Sequence, residues 1–250
     1  MTMGRKYRRP PVVEALCELH FAGSEWDDTV PGRFFESVKD EFPVKRQREI
    51  QEAQIKIADG QAEAGVKRLT PWIQFVSQQG DRMLQLARDL LVVNQLRPYP
   101  SFEDWQPSIE RALRIYGDLA RPQGVARLGV RYINHVVIPG ARVQLEHYFT
   151  VHPQLPKGLG DEHGVFMVRF EIPAIGDGHS VVVTFASAVT DKRDAQAFLL
   201  DIYDRFEPGE AAGLDSVAGE VTKAHSNVEA AFEGSITEEL RKLLEPENER

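Results

Sequence analysis

The sequence predicts an α+β fold made of two pseudo-repeats, each a strand, a short helix, an antiparallel meander of three or four strands and a long helix. Three observations predict it. The stretch from Val125 to Pro139 alternates in polarity, shorter alternating segments are separated by turn residues, and a long amphipathic segment follows each group of strands. We expect a basic tail at 1–10, a first half at 11–120 and a second half at 125–250, with the halves packed as one globular unit. At 250 residues the chain can bury a full core.

In the first half, Pro10 and Pro11 lead into a strand over Val12 to Phe21, in which odd-numbered residues are mostly apolar and Glu14, Glu18 and His20 face the other way. Helical spacing of apolar residues predicts a helix over Arg33 to Phe42, before Pro43. Alternation then predicts strands, and Ser101 is placed to cap the long helix. The predicted strands are Glu52 to Ala58, Trp72 to Ser77, Arg82 to Arg88 and Leu90 to Leu96.

The second half opens with the strand from Val125 to Pro139, and a short helix is predicted over Ala141 to Phe149. Three strands follow; the last could instead begin as a helix, over Ala195 to Tyr203. An amphipathic stripe from Gly213 onward predicts the long helix, and Ser235 to Glu238 has the pattern of a capping box for a final helix. The three predicted strands are Val165 to Ile172, Ser180 to Val189 and Phe198 to Phe206.

Composition excludes several classes of protein. A formal net charge of −8 argues against general nucleic-acid binding, which needs a basic surface. Cys17 is the single cysteine, which excludes an intramolecular disulfide and a thiolate zinc site. It lies on the apolar side of its strand, where a buried, inert thiol is expected. With no apolar leader or spanning segment in the sequence, we expect a soluble cytoplasmic protein that makes no membrane contact.

The sequence lacks the usual catalytic motifs, so we predict no catalytic residue and no cofactor, and we favour a protein that is not an enzyme over the alternative of an enzyme. It has no G-x-x-x-x-G-K-[ST] phosphate loop, and the glycines of 158–164 precede a strand where a dinucleotide site would need a helix. Three histidines, His147, His152 and His163, are weak metal candidates in one irregular region. Their spacing favours solvated loop residues.

The candidate ligand or partner residues cluster on the first strand of each half and on the last long helix. Arg127, Arg131 and His135 recur on the polar face of the central strand, opposite a core face of apolar residues. If the two first strands are neighbours, Glu14 and Arg131 could form a charge-assisted pair. A structural junction, a ligand pocket and catalysis are the alternatives. The complete candidate set is Glu14, Arg127, Arg131, Tyr132, Asn134, His135 and His225.

Four segments carry a resemblance to a known family. They are P-P-V-V-E-A-L at Pro10 to Leu16, L-L-V-V-N-Q-L-R-P-Y at Leu90 to Tyr99, R-Y-I-N at Arg131 to Asn134, and the tail A-H-S-N-V-E-A-A-F-E-G-S-I-T-E-E-L at Ala224 to Leu240. Together they resemble a sporadically distributed family of uncharacterised prokaryotic proteins of similar length, over nearly the whole chain. The resemblance implies no particular activity, while a patchy distribution suits mobile defence or toxin-antitoxin components.

Two function hypotheses follow. The first is a non-enzymatic protein-binding or scaffold protein, plausibly part of a prokaryotic defence or toxin-antitoxin locus, with another protein or a second copy as its partner. The second is a small-molecule sensor or enzyme with a pocket between the two halves, formed by residues such as Arg131, Tyr132 and His225. Nucleic-acid binding is not expected, because few basic and aromatic residues share a predicted sheet face.

Overall fold

The computed structural model describes residues 5–48, 51–58, 61–68, 72–156, 158, 164–176 and 178–247. Within these ranges the chain forms eleven strands, five α-helices and one turn of 3₁₀ helix at Leu214–Ser216. The strands are β1 (Val12–Ala22), β2 (Val44–Arg48), β3 (Gln51–Ala58), β4 (Gln61–Arg68), β5 (Trp72–Val76), β6 (Arg82–Ala87), β7 (Leu90–Leu96), β8 (Gly124–Pro139), β9 (Met167–Gly176), β10 (His179–Ala188) and β11 (Ala195–Phe206). The helices are α1 (Val30–Val38), α2 (Phe102–Ala120), α3 (Leu145–Tyr148), α4 (Val217–Ser235) and α5 (Glu238–Leu244).

Nine strands form one open antiparallel sheet, in the order β2-β5-β6-β7-β1-β8-β11-β10-β9, and β3 and β4 form a separate hairpin. The chain is therefore a mixed α and β protein with a large antiparallel sheet, as the sequence predicts in outline. β1 and β8, the first strands of the two predicted halves, lie side by side, with Cys17 opposite Val130. The centre of the sheet is thus the seam between residues 11–120 and 125–250.

All five described helices cover the same face of the sheet. The buried apolar residues of each helix belong to one core cluster, which also contains Ala15, Cys17, Leu19 and Phe21 of β1. On β8 the row from Leu128 to Ile138 that was predicted to face the core is buried throughout. We call the opposite side of the sheet the helix-free face. It is formed by Glu14, Leu16, Glu18 and His20 of β1 and by the residues opposite them in neighbouring strands.

The start of α2 follows the predicted capping. The Ser101 hydroxyl accepts a hydrogen bond from the backbone N–H of Asp104 at 3.1 Å, which satisfies one donor of the first turn. The helix begins at Phe102 and continues through Pro107 to Ala120. Its last residue is followed by Arg121 in the left-handed conformation, with φ of 41°, and this ends the helix before β8.

Two local predictions are wrong, and one alternative is excluded. The helix expected over 141–149 is a single turn, Leu145–Tyr148. The strand predicted over Phe198 to Phe206 is confirmed and begins at Ala195, which excludes the alternative of a helix there, because the segment lies between β8 and β10 and completes both ladders. Ser235 is no capping residue. It is the last residue of α4, and its hydroxyl donates to the carbonyl of Ala231 at 2.6 Å, while α5 begins after Thr237.

The two ends of the described chain lie together. The backbone N–H groups of Arg8 and Arg9 donate to the carbonyls of Glu245 and Leu244 at 2.9 and 3.1 Å. The Tyr7 hydroxyl donates to Glu233 of α4 at 2.6 Å. The basic segment therefore has a paired backbone, although the side chain of Arg9 remains 72% exposed. Among the described helices, none combines the length and apolarity that crossing a lipid bilayer requires.

Candidate functional site

The sheet separates the predicted candidate residues into two groups. Glu14, Arg127, Arg131 and His135 lie on the helix-free face, because they alternate with buried core residues along β1 and β8. The remaining candidates, Tyr132, Asn134 and His225, lie on the helix-covered side. The candidates therefore do not converge on one site, and each group is described separately.

Arg131 forms the best-aligned ion pair of the helix-free face. Its Nε and Nη2 donate to the two carboxylate oxygens of Asp201 on β11 at 2.7 and 2.5 Å, a bidentate arrangement. The predicted pair with Glu14 is wrong in its partner. β1 and β8 are neighbours, but their register places Leu16 opposite Arg131, and Glu14 instead accepts from Asn94 Nδ2 at 2.6 Å.

A second charged group surrounds Arg127, which lies four residues before Arg131 on the same face of β8. Arg127 Nη2 donates to Glu18 Oε1 at 3.1 Å and lies 2.6 Å from His20 Nε2, which also contacts Glu18. Burial raises the pKa of the Glu18 carboxyl, but the neighbouring His20 and Arg127 outweigh it and hold that pKa below its usual value. Glu18 is thus a stable anion beneath a guanidinium.

Tyr203 of β11 lies between these two groups. It pairs with Arg131 across the β8–β11 ladder, and its ring crosses the backbone of Gly129. A Cβ atom on residue 129 would lie 2.7 Å from Tyr203 Cζ and closer still to the ring edge and hydroxyl. Burial, and then the Glu18 carboxylate, raise the pKa of Tyr203 to about 12, so its hydroxyl stays protonated.

Replacing Gly129 with alanine should test this contact. In a strand, alanine is normally more stable than glycine by about 0.5–1 kcal/mol, so a stabilised protein is the default expectation. Because the new methyl group would collide with Tyr203, we expect Gly129→Ala to lower the free energy of unfolding by about 1–3 kcal/mol instead. Urea denaturation measures the change. In a Tyr203→Ala background the same substitution should become neutral or stabilising; an unchanged sign would contradict the contact.

Neutral polar groups continue the helix-free face across the first half. Gln74 donates to Gln85 at 2.9 Å, Gln85 to Asn94 at 3.0 Å, and Asn94 to Glu14 at 2.6 Å. This chain links four neighbouring strands and ends at the Glu14 carboxylate. Beside it lies a small apolar cluster. Its members are Leu16, Trp72, Ala87, Leu90 and Val92.

The helix-covered candidates form a packed aromatic junction between the halves. The Tyr132 hydroxyl lies 2.7 Å from that of Tyr99 and 3.0 Å from His225 Nδ1. Phe102 stacks on His225 with ring centroids 3.9 Å apart, and Trp105 contacts Tyr132 edge-on at 6.0 Å. Burial lowers the pKa of His225 to about 4, so the ring is neutral at pH 7.

Asn134 and His135 have structural contacts. Asn134 is buried, and its Nδ2 donates to the carbonyl of Leu200 at 3.0 Å. His135 Nε2 lies 3.1 Å from the carbonyl oxygen of Val189, at the end of β10. Both side chains therefore connect β8 to the strands on its second-half side.

A buried ionic group between sheet and α4 was missed from the sequence. His179 Nδ1 lies 2.7 Å from Asp204 Oδ1, and its Nε2 lies 3.0 Å from Glu220 Oε2. Asn227 donates to the other oxygen of Asp204 at 2.8 Å. The side chains of His179 and Asp204 are fully buried. One signal was available: Asp204 interrupts the apolar core row of β11, where an unpaired carboxylate would be costly.

The weak metal candidates are not brought together. His147 is exposed at α3 and His152 lies in the following loop, while His163 lies outside the described residues. Across the described ranges, no three His, Cys, Asp or Glu side chains form a group suited to a metal ion. Cys17 is buried, and burial raises the pKa of its thiol above the usual value, which disfavours the reactive thiolate.

Comparisons with known proteins assign no family to the chain. No protein-family model matches the chain, and no match was found among curated proteins. Among solved structures, the chain was aligned with the S. pombe Pct1 RNA triphosphatase in complex with the Spt5 CTD, at 9% identity over 93% of this chain and 81% of that chain. The TM-score is 0.15, at which two structures do not share a fold, so the alignment carries no argument.

Proposed function

We propose that this chain is a non-enzymatic protein-binding module whose helix-free face docks an acidic segment of another protein. The observation that carries the proposal is the difference in exposure between the two side chains of each central ion pair. The Arg131 side chain is 41% exposed and its partner Asp201 only 10%. Arg127 is 39% exposed and Glu18 only 24%. In both pairs the guanidinium is the outer group, so solvent meets positive charge.

This geometry suits a carboxylate ligand. A guanidinium has five N–H donors, and Asp201 accepts from only two nitrogens of Arg131. An incoming acidic side chain could bind the outer edge of Arg131 without displacing Asp201, which holds the guanidinium in place. Charge-assisted hydrogen bonds of this kind are about twice as strong as neutral ones. The Tyr203 ring between the two arginines adds a flat apolar contact.

The charge distribution favours a protein segment over nucleic acid. In a third ion pair of this face the carboxylate is the outer group, since Glu171 is 44% exposed and Arg205 is 30% exposed. A polyphosphate chain would meet this carboxylate as well as the guanidiniums, and the whole chain carries a net charge of −8. A peptide with spaced acidic groups can match such a mixed surface. A role in a defence or toxin-antitoxin locus remains part of this proposal.

The aromatic junction argues against the second hypothesis, a small-molecule pocket between the halves. The rings of Tyr99, Phe102, Trp105, Tyr132 and His225 are in mutual contact there and occupy the region where such a pocket was expected. The strand order supports the pseudo-repeat as a further part of the proposal. The order β5-β6-β7-β1 in the first half mirrors β9-β10-β11-β8 in the second about the β1–β8 pair.

Site-specific crosslinking tests the docking face. A photoreactive residue at Ser180, opposite Arg205 on the helix-free face, should capture a protein partner in cells of the native host. The same probe at Glu110, exposed on α2, should not. We expect Arg127→Gln with Arg131→Gln to reduce the crosslinked product at least 10-fold, because both outer guanidiniums are lost, while Arg114→Gln on α2 leaves it unchanged.

Three outcomes would contradict the proposal. Equal capture from Ser180 and Glu110 would mean that the helix-free face is not the contact surface. Product that survives the double substitution would mean that the guanidiniums do not bind the partner. A crosslink that disappears on nuclease treatment would show that the helix-free face binds nucleic acid and not a protein. Circular dichroism of each variant checks that the fold is retained.

A further inference from the structure

The two outer edges of the sheet differ in how they are protected from pairing. β2, at one edge, has five residues and the sequence V-K-R-Q-R, whose like charges oppose pairing with another strand. β9, at the other edge, has ten residues, and in the described part of the chain it pairs only with β10. No other described strand uses its outer peptide groups, so they can continue the sheet. We propose that two copies of this chain form a dimer by antiparallel pairing of their β9 edges.

Exposed apolar side chains mark the same edge. Met167 is 71% exposed, Ile172 42% and Phe170 36%, and Val165 just before the strand is 96% exposed. Large apolar residues clustered at one edge indicate a surface that another molecule covers. Phe170 and Ile172 lie on the helix-covered side, opposite the core residues Val183 and Val181 of β10. A second copy that continues the sheet would cover them without any rearrangement of this chain.

The charges of β9 are complementary to themselves in one register. Arg169 and Glu171 lie on the helix-free face, opposite Thr184 and Val182 of β10. A two-fold antiparallel pairing centred on Phe170 places Arg169 opposite the partner's Glu171, and Glu171 opposite the partner's Arg169. Centring the pair one residue earlier or later instead places two arginines or two glutamates together, which is unfavourable. Of these three registers, only the one centred on Phe170 brings opposite charges together.

The same register matches the apolar side. It brings Phe170 against the partner's Phe170, and Val168 against the partner's Ile172. Pro173 has no N–H group to donate, so the ladder ends there and the paired segment is Val168–Ile172. Such an interface is isologous and closes on itself, which gives a dimer and not an open fibre.

Sedimentation equilibrium of the full chain over a concentration series tests this inference. We expect a reversible transition from the monomer mass to twice that mass. Arg169→Glu alone places two glutamates opposite each other at two positions and should raise the dissociation constant at least 10-fold. Adding Glu171→Arg, together with Arg205→Gln because Arg205 of the same chain pairs with Glu171 at 2.7 Å, reverses every charge of the register without a new repulsion inside the chain. This triple variant should return to within about 3-fold of the wild-type value.

Two matched variants keep the test specific. Arg46→Glu makes the same charge change on the exposed opposite edge, β2, and should leave the dissociation constant unchanged. Arg131→Gln, within the proposed docking face, should leave it unchanged as well, which separates this inference from the proposed function. A monomer at all concentrations would overturn the dimer, whatever else binds β9. A dimer insensitive to Arg169→Glu, or a triple variant without rescue, would overturn the register.

Discussion

Replacing His179 with alanine is expected to lower the free energy of unfolding by about 3–5 kcal/mol, the largest single effect we predict outside the apolar core. The reason is the Asp204 carboxylate, which is fully buried and loses its closest partner when the imidazole is gone, although the Asn227 amide and the charge of Lys223 remain. Burial already raises the pKa of Asp204, the mark of a carboxylate that depends on its partners for its charge. Urea denaturation at pH 7 measures the loss.

A second substitution separates the two causes of this loss, the missing partner of the Asp204 charge and the missing volume of the imidazole. In His179→Ala, replacing Asp204 with asparagine removes the stranded charge, so part of the stability should return, and a double-mutant cycle gives the coupling. His147→Ala is the matched control, because His147 is exposed on α3 and should change the stability by less than about 0.5 kcal/mol. Equal losses in His179→Ala with and without Asp204→Asn would show that only packing was lost.

Local periodicity accounts for the parts of the fold that the sequence predicted. On β1 and β8 the two-residue alternation assigns each side chain to a face, and the structure buries the assigned core row of β8 throughout and that of β1 from Ala15 to Phe21. The helix after Ser101 was predicted because the capping residue and the apolar spacing agree. α3 was overestimated, since the apolar spacing of 141–149 continues beyond the one turn that forms.

Pairing between distant strands accounts for what could not be predicted. Alternation predicts which face of the sheet Arg131 lies on. Its ion-pair partner depends on the register of β8 against β11, which cannot be derived from a single sequence. Asp201 lies 70 residues away and was not among the candidates. His179 was missed for the same reason, because its partners lie on β11 and α4.

Acid should destabilise this protein partly through His225. Burial lowers the pKa of this ring from 6.5 to about 4 in the folded state. The unfolded chain therefore binds a proton at a higher pH than the native protein does. The stability contributed by the neutral ring is complete above pH 6.5 and is lost progressively as the pH falls from 6.5 to about 4. A shift of this size corresponds to at most about 3 kcal/mol.

The measurement is the free energy of unfolding from pH 7 to pH 4, for the wild type and for His225→Gln. Glutamine can still accept a hydrogen bond from Tyr132 but does not titrate. Groups near His225 also change how steeply the free energy of unfolding depends on pH. Burial raises the pKa of Glu229, which stabilises the folded protein as the pH falls, opposite to the effect of His225. The charge of Glu103 favours the protonated His225 ring. The difference between the two proteins removes the Glu229 contribution. We expect the wild type to lose about 1–3 kcal/mol more than the variant across this range. Parallel curves would mean that His225 is accessible to solvent and that the aromatic junction is not closed.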